Sequence, residues 1–138
     1  MEIALIADDK KKELMVEFCI AYCGILSKHH LCATAKTAKY ISEATGLEIK
    51  SLIAGSLGGL EQVASRICYD EIDLLLYFRD TAAATYLEDP RKGNLLRCCD
   101  MYNIPVATNI ATGEVLVMAL DRGDMAWRDV LRAKKEDE

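Results

Sequence analysis

Residues 72–78 read "IDLLLYF". Successive side chains of a strand point to opposite faces, so a strand with one wet face alternates polar and apolar residues. This stretch is almost continuously apolar, as a strand buried on both faces requires, and such strands belong to parallel sheets covered by helices. Its neighbours agree. "LEQVASRICYD" (60–70) precedes it with Val63 and Ile67 on one helical face, and "NLLRCCDMYN" (94–103) follows as a helix. Upstream, "EIALIA" (2–7), "HLCATA" (30–35) and "IKSLIAG" (49–55) read as strands, and "IPVATN" (104–109) as a short fifth strand. The helices between them are "DDKKKELMVEFCIAYCGIL" (8–26), with Asp8 or Asp9 as its cap, and "KTAKYISEATG" (36–46), with Gly46 as its stop. "RDTAAATYLEDPRKG" (79–93) is polar and loop-like, while "GEVLVMALDRG" (113–123) and "MAWRDVLRAKK" (125–135) close the chain as helices. Alternating strands and helices predict an α/β fold, a three-layer sandwich around a central, mainly parallel five-stranded sheet.

A chain of 138 residues fits one domain over 1–138, and about the last 5 residues, rich in charge, are expected to form a flexible tail. The net charge is -5 and no basic stripe dominates, which argues against nucleic-acid binding. No apolar run has the length of a membrane span, and "MEIALIADDKKK" lacks the long apolar core of a signal peptide, so a cytoplasmic location is expected. The six cysteines show neither paired C-x-x-C units nor a nearby histidine pattern, and His29 and His30 are the two histidines. They read as buried, reduced thiols rather than as a metal site. Cys19 and Cys23 are four apart, so a continuous helix would place them on one face.

In such sheets ligands bind beyond the carboxyl ends of the strands. The segments that follow the strands therefore carry the functional information. Thr34 and Thr37 place hydroxyls at a helix start, Lys12 and Lys36 supply cations, and Gly55, Gly58 and Gly59 permit close backbone approach. Free N–H groups at helix starts favour phosphate or carboxylate. Thr and Asp are also the usual helix caps, so no single segment decides the matter. Together they predict a small-anion site.

"IALIADDKKKELM" (3–15), "CATAKTA" (32–38), "EATGL" (43–47), "AGSLGG" (54–59), "IDLLLYFRD" (72–80) and "IPVATN" resemble, in order and spacing, the methylglyoxal synthase family. The resemblance covers nearly the whole chain. It implies a methylglyoxal synthase-like sandwich of the Rossmann/flavodoxin-like kind, usually assembled as a homohexamer. A regulatory domain of carbamoyl-phosphate synthetase and a purine-biosynthesis enzyme share that fold, so the fold alone does not fix the function. Methylglyoxal synthases convert dihydroxyacetone phosphate to methylglyoxal and phosphate without a cofactor. An aspartate removes a proton beside the carbonyl, and the enediol phosphate then expels phosphate.

Set against the family's motifs, Asp9, Lys12, Thr34, Thr37, Gly55, Gly58, Gly59, Asp80 and Arg97 match. Asp8 stands where the substrate-facing histidine belongs, Leu60 where the catalytic aspartate belongs, and Glu88 where the catalytic histidine belongs. Ala35 and Ala38 replace glycines, Lys36 a threonine, Ala54 a serine and Arg91 an aspartate. The framework is kept and the reacting groups are changed. A general base contributes roughly two to four powers of ten in rate, which a leucine cannot supply. Asp80 and Glu61 are the candidate substitutes, although Asp80 can equally cap a turn. The expectation is a noncatalytic binding or regulatory homologue with a pocket made by Lys12, Thr34, Lys36, Thr37 and Gly55. The alternatives are a lyase acting on dihydroxyacetone phosphate or a similar phosphorylated molecule, and a subunit that assembles with an active relative.

Overall fold

The computed structural model describes residues 1–82 and 89–136. In chain order the strands and helices are β1 (Glu2–Ala7), α1 (Lys12–Ala21), α2 (Cys23–Leu26), β2 (His30–Thr34), α3 (Ala35–Thr45), β3 (Ile49–Leu52), α4 (Gly59–Cys68), β4 (Leu74–Phe78), α5 (Pro90–Met101), β5 (Val106–Ala107), α6 (Ile110–Arg122) and α7 (Trp127–Glu136). Short 3-10 turns at Asp9–Lys11 and Gly55–Leu57 lead into α1 and α4. The five strands form one sheet in the order β3-β2-β1-β4-β5, and every pair is parallel.

The burial of β4 follows from its place in this order. It lies between β1 and β5, with Leu74 opposite Ile3 and Leu76 opposite Ala107. Leu74, Leu76 and Phe78 join Ile3, Leu5 and Ala7 in the core beneath α1, α3 and α6. Leu75 and Tyr77 join Ala4 and Ile6 in a second core beneath α4 and α5. Each fully buried leucine in this strand contributes about 1.5–3 kcal/mol from lost apolar exposure. The uninterrupted run of residues 72–78 thus reflects helices on both faces, as the sequence predicts.

Local differences have local causes. The first helix does not run unbroken to residue 26: it ends at Ala21, and Tyr22, with φ -108° and ψ 20°, separates it from the single turn of α2. Cys19 is consequently buried in α1 while half-buried Cys23 opens α2. Neither Asp8 nor Asp9 caps a helix with its side chain. Helix α5 begins at Pro90, inside the segment read as loop, because Pro suits the first helical position and Asp89 caps it by accepting from the Arg91 N–H at 3.0 Å. The expected stop at Gly46 is present, with φ 75°.

One charged residue lies within the opening stretch. Asp73 is completely buried just before β4. It accepts from the Glu2 N–H at 2.8 Å and from Arg128 Nε at 3.0 Å, and it pairs with Arg132 at 2.6 Å. Arg128, itself buried, also donates to the Asn103 carbonyl at 2.9 Å. These bonds fasten α7 to the amino edge of the sheet. Burial alone pushes the Asp73 carboxyl up, but the guanidinium groups and the Glu2 N–H outweigh it and hold the carboxyl below its ordinary value of 3.8.

A depressed carboxylate contributes stability above its unfolded pKa and loses it as pH falls through its folded one. Asp73→Asn is expected to destabilise the fold by about 3 kcal/mol near neutral pH, because Arg128 and Arg132 lose their buried counter-charge and are left with the partly exposed Asp70. In urea titrations from pH 7 downward, the gap between wild type and variant should narrow below about pH 4. A gap independent of pH would show that the carboxylate charge is not what matters.

Candidate functional site

The carboxyl ends of β1 and β4 meet at Asp8. Its N–H extends the ladder by one bond to the Phe78 carbonyl, at 3.0 Å. Its carboxylate accepts from the Tyr77 hydroxyl at 3.1 Å and from the Asp80 N–H at 2.8 Å, and it pairs with Lys92 of α5 at 3.1 Å. Both ends of that ion pair are largely buried, Lys92 at 15% and Asp8 at 12% side-chain exposure, so water screens it little. Burial first, then the neighbouring Asp8 charge, pushes the Tyr77 hydroxyl far up, which keeps it a donor at any physiological pH. Asp8 is therefore a neutralised structural knot, and it does not confront an anion with an uncompensated charge. Lys92 is the residue that sequence reasoning missed. Its signal was the i+3 spacing from Asp89 at the helix start, which says nothing about a partner on another element.

Beside the knot, Lys12 turns back over the strand end. Its ammonium donates to the Ala7 carbonyl at 2.9 Å and pairs with Asp9 at 3.1 Å. The bond to Lys12 holds the exposed Asp9 carboxyl below its ordinary range. On the next strand, Thr34 occupies the N-cap position of α3 without a side-chain capping bond, and Lys36 is exposed in its first turn. Thr37, third in the helix, is completely buried, and its hydroxyl has no hydrogen-bond partner among the described residues. An unpaired buried hydroxyl costs about 1–3 kcal/mol. At a helix start, where N–H groups and the dipole favour negative charge, such a group suits an anionic oxygen.

The loop between β3 and α4 packs against this helix start. Gly58 adopts φ 118°, in the left-handed region that favours glycine. Gly59 is fixed by contact: a Cβ there would collide with the Ile53 carbonyl oxygen and lie 2.8 Å from the Thr34 methyl. Gln62 accepts from the Ile53 N–H at 2.7 Å, which closes the loop from inside α4. Across the cleft, Arg91 is bound to Asp89 and reaches the Gly55 carbonyl at 3.4 Å. Leu60 is only 6% exposed and packs in the second core with Val63, Ala64 and Leu95. Glu61, its neighbour, is exposed.

Asp80 is 8% exposed and accepts from the Ala82 N–H at 3.0 Å, so it caps the turn after β4. It forms no ion pair with another described residue, whereas Asp8, Asp9 and Asp89 pair with Lys92, Lys12 and Arg91. Glu88 lies outside the described residues. The structure thus brings Lys12, Thr34, Thr37, Gly55 and Asp80 to one end of the sheet. A hollow of about 730 Å³ lies at the opposite end among Glu2, Lys28, His29, Glu48, Lys50 and Arg66. It faces the amino ends of the strands, away from the end where open α/β sheets bind their ligands.

Comparison with known proteins settles the lineage. Residues 15–108 match the family model described as the MGS-like domain. The chain belongs to this family. It is 55% identical over 134 residues to a methylglyoxal synthase of Caldicellulosiruptor saccharolyticus, covering 97% of this chain and 94% of the relative. A methylglyoxal synthase of Clostridioides difficile is 44% identical over 136 residues, covering 99% and 98%. The crystal structure of methylglyoxal synthase from Elizabethkingia anophelis NUHP1 superimposes with a TM-score of 0.76 at 34% identity, covering 84% of this chain and 76% of that one. No helix among the described residues is long and apolar enough to cross a membrane.

Lys92→Met tests the knot. It leaves a largely buried carboxylate with two neutral donors and no counter-charge, and a loss of about 2 kcal/mol in urea unfolding is expected. A loss below about 0.5 kcal/mol would mean that solvent screens the pair after all.

Proposed function

We propose that this MGS-like chain is a phosphate-eliminating carbon–oxygen lyase of the methylglyoxal synthase type, acting on dihydroxyacetone phosphate or a closely similar phosphorylated ketone in the cytoplasm. The observation that carries this reading is its likeness, at up to 55% identity over 97% of the chain, to proteins named methylglyoxal synthase. The geometry supports it in part. The buried Thr37 hydroxyl and the N-terminus of α3 form the phosphate end of the site, with Lys36 and Lys12 as nearby cations. Asp80 is the base in this reading, because it is the buried strand-end carboxylate outside any ion pair with another described residue. It takes the proton beside the carbonyl, and the electron pair left behind then expels phosphate. The same reading makes the protein a homo-oligomer, by family resemblance. The apolar residues that α7 exposes, Trp127, Val130 and Leu131, suit a subunit contact.

One observation favours a second reading, a noncatalytic binding protein. Position 60, where the resemblance puts the catalytic aspartate, holds a leucine packed into the core.

Phosphate release from dihydroxyacetone phosphate separates the two. The lyase reading expects turnover by the wild-type protein, a loss of about 100-fold or more in kcat for Asp80→Asn, and a raised KM for Thr37→Val. Absence of turnover, with inorganic phosphate still raising the melting temperature, would establish the binding protein instead. Turnover unaffected by Asp80→Asn would leave the lyase and remove its assigned base.

A further inference from the structure

Helix α5 opens against its own dipole. Its first turn holds Pro90, Arg91 and Lys92, and the partial positive charge at a helix start disfavours cations there. Each cation has an acid of its own: Lys92 pairs with Asp8, and Arg91 with Asp89. The two pairs differ in access. Lys92 is largely buried in the knot, whereas the Arg91 side chain is 41% exposed and open to a ligand.

The Arg91 guanidinium is held in place and incompletely used. Nε donates to one Asp89 oxygen at 3.3 Å and Nη2 to the other at 3.2 Å, so both Asp89 oxygens are turned to Arg91. Nη1 donates to the Gly55 carbonyl at 3.4 Å, the longest bond of the three. Three of the five guanidinium N–H groups are thus engaged with described residues. The other two, one on Nη1 and one on Nη2, suit two oxygens of one phosphate group. Gly55 adjoins the start of α3, since a Cβ on it would lie 4.0 Å from the Thr34 methyl. Thr34 is the N-cap position of that helix, and the buried Thr37 hydroxyl, in its first turn, has no partner among the described residues. The bond to Gly55 therefore brings an oriented cation to the helix start that holds an unpaired buried hydroxyl.

We propose that Arg91 is a specificity-determining residue of the strand-end site, clamping the phosphate group of the ligand against the start of α3. The inference rests on the reading of that helix start as the phosphate end. A hydrogen bond to an ionised oxygen is about twice as strong as one to a neutral carbonyl, so a phosphate oxygen displaces Gly55 from Nη1. Asp89 has already fixed the fork, so little side-chain freedom is lost on binding. The clamp discriminates by charge: a phosphate monoester engages it, and an unphosphorylated ketone does not.

The test titrates inorganic phosphate into the full-length protein and reads affinity from the backbone amide shifts of residues 34–37. Wild type is expected to bind saturably, and Arg91→Gln about tenfold or more weakly. Arg91→Lys, which keeps the charge and loses the fork, should lie between them. Arg122→Gln breaks another surface Arg–Asp pair, at the far end of α6, and should bind like wild type. With dihydroxyacetone phosphate as substrate, Arg91→Gln should raise KM about tenfold and keep kcat within about twofold. Phosphate affinity unchanged by Arg91→Gln would overturn the clamp and leave the lyase reading intact. Weakened phosphate binding by Arg91→Gln, in a protein whose wild type shows no turnover, would uphold the clamp and remove the lyase. An equal weakening by Arg91→Gln and Arg122→Gln would overturn the clamp, because net charge alone would then account for the effect. No wild-type shift at millimolar phosphate would overturn it as well.

Discussion

The carboxyl edge of this sheet is organised around the Asp8 carboxylate. One side chain joins the ends of β1 and β4, the turn beyond β4 and the first turn of α5, through Tyr77, the Asp80 N–H and Lys92. Hydrogen bonds to a charged group contribute about 1.5–3 kcal/mol each, roughly twice a neutral bond. The knot therefore sets where Asp80 and the α5 start stand relative to α3. It also settles an electrostatic question. An acid at the mouth of an anion site would repel its ligand, but this one already has an ammonium and two donors. Lys12, Lys36 and the helix start of α3 add positive influence at this edge.

The opposite edge is closed by a second buried carboxylate. Asp73 holds Arg128 and Arg132, and with them α7, against the amino ends of the strands. The two carboxylates sit at opposite ends of the same strand region, one anchoring the last helix and one shaping the site. Between them lies the apolar run of β4, buried on both faces. Asp8 belongs to the framework at the carboxyl edge, and Leu60 belongs to the core.

Much of the fold was legible in the sequence because burial writes itself into periodicity. The run at 72–78 announced a doubly covered strand, and Val63 and Ile67 announced the apolar face of α4. The helix break at Tyr22 and the early start of α5 were less legible, since they depend on backbone angles and on a single capping aspartate. The candidate site was legible as a set of segments rather than as a set of contacts. Thr34, Thr37 and the glycines converge, yet nothing in the spacing of Asp8, Tyr77 and Lys92 revealed that they meet. Leu60 reads in the sequence only as a leucine where the resemblance expects an acid. Its packing against Val63 and Leu95 depends on the direction in which α4 enters, which sequence alone does not give.

In the proposed function a small phosphorylated anion binds at the carboxyl edge, over the start of α3. Backbone amide shifts recorded during titration with dihydroxyacetone phosphate test this most directly. The prediction is saturable perturbation concentrated in residues 34–38 and 55–59, weakened by Thr37→Val. Perturbation centred instead on residues 28–31 and 46–50, around the hollow at the amino edge, would contradict it, as would no perturbation at millimolar ligand.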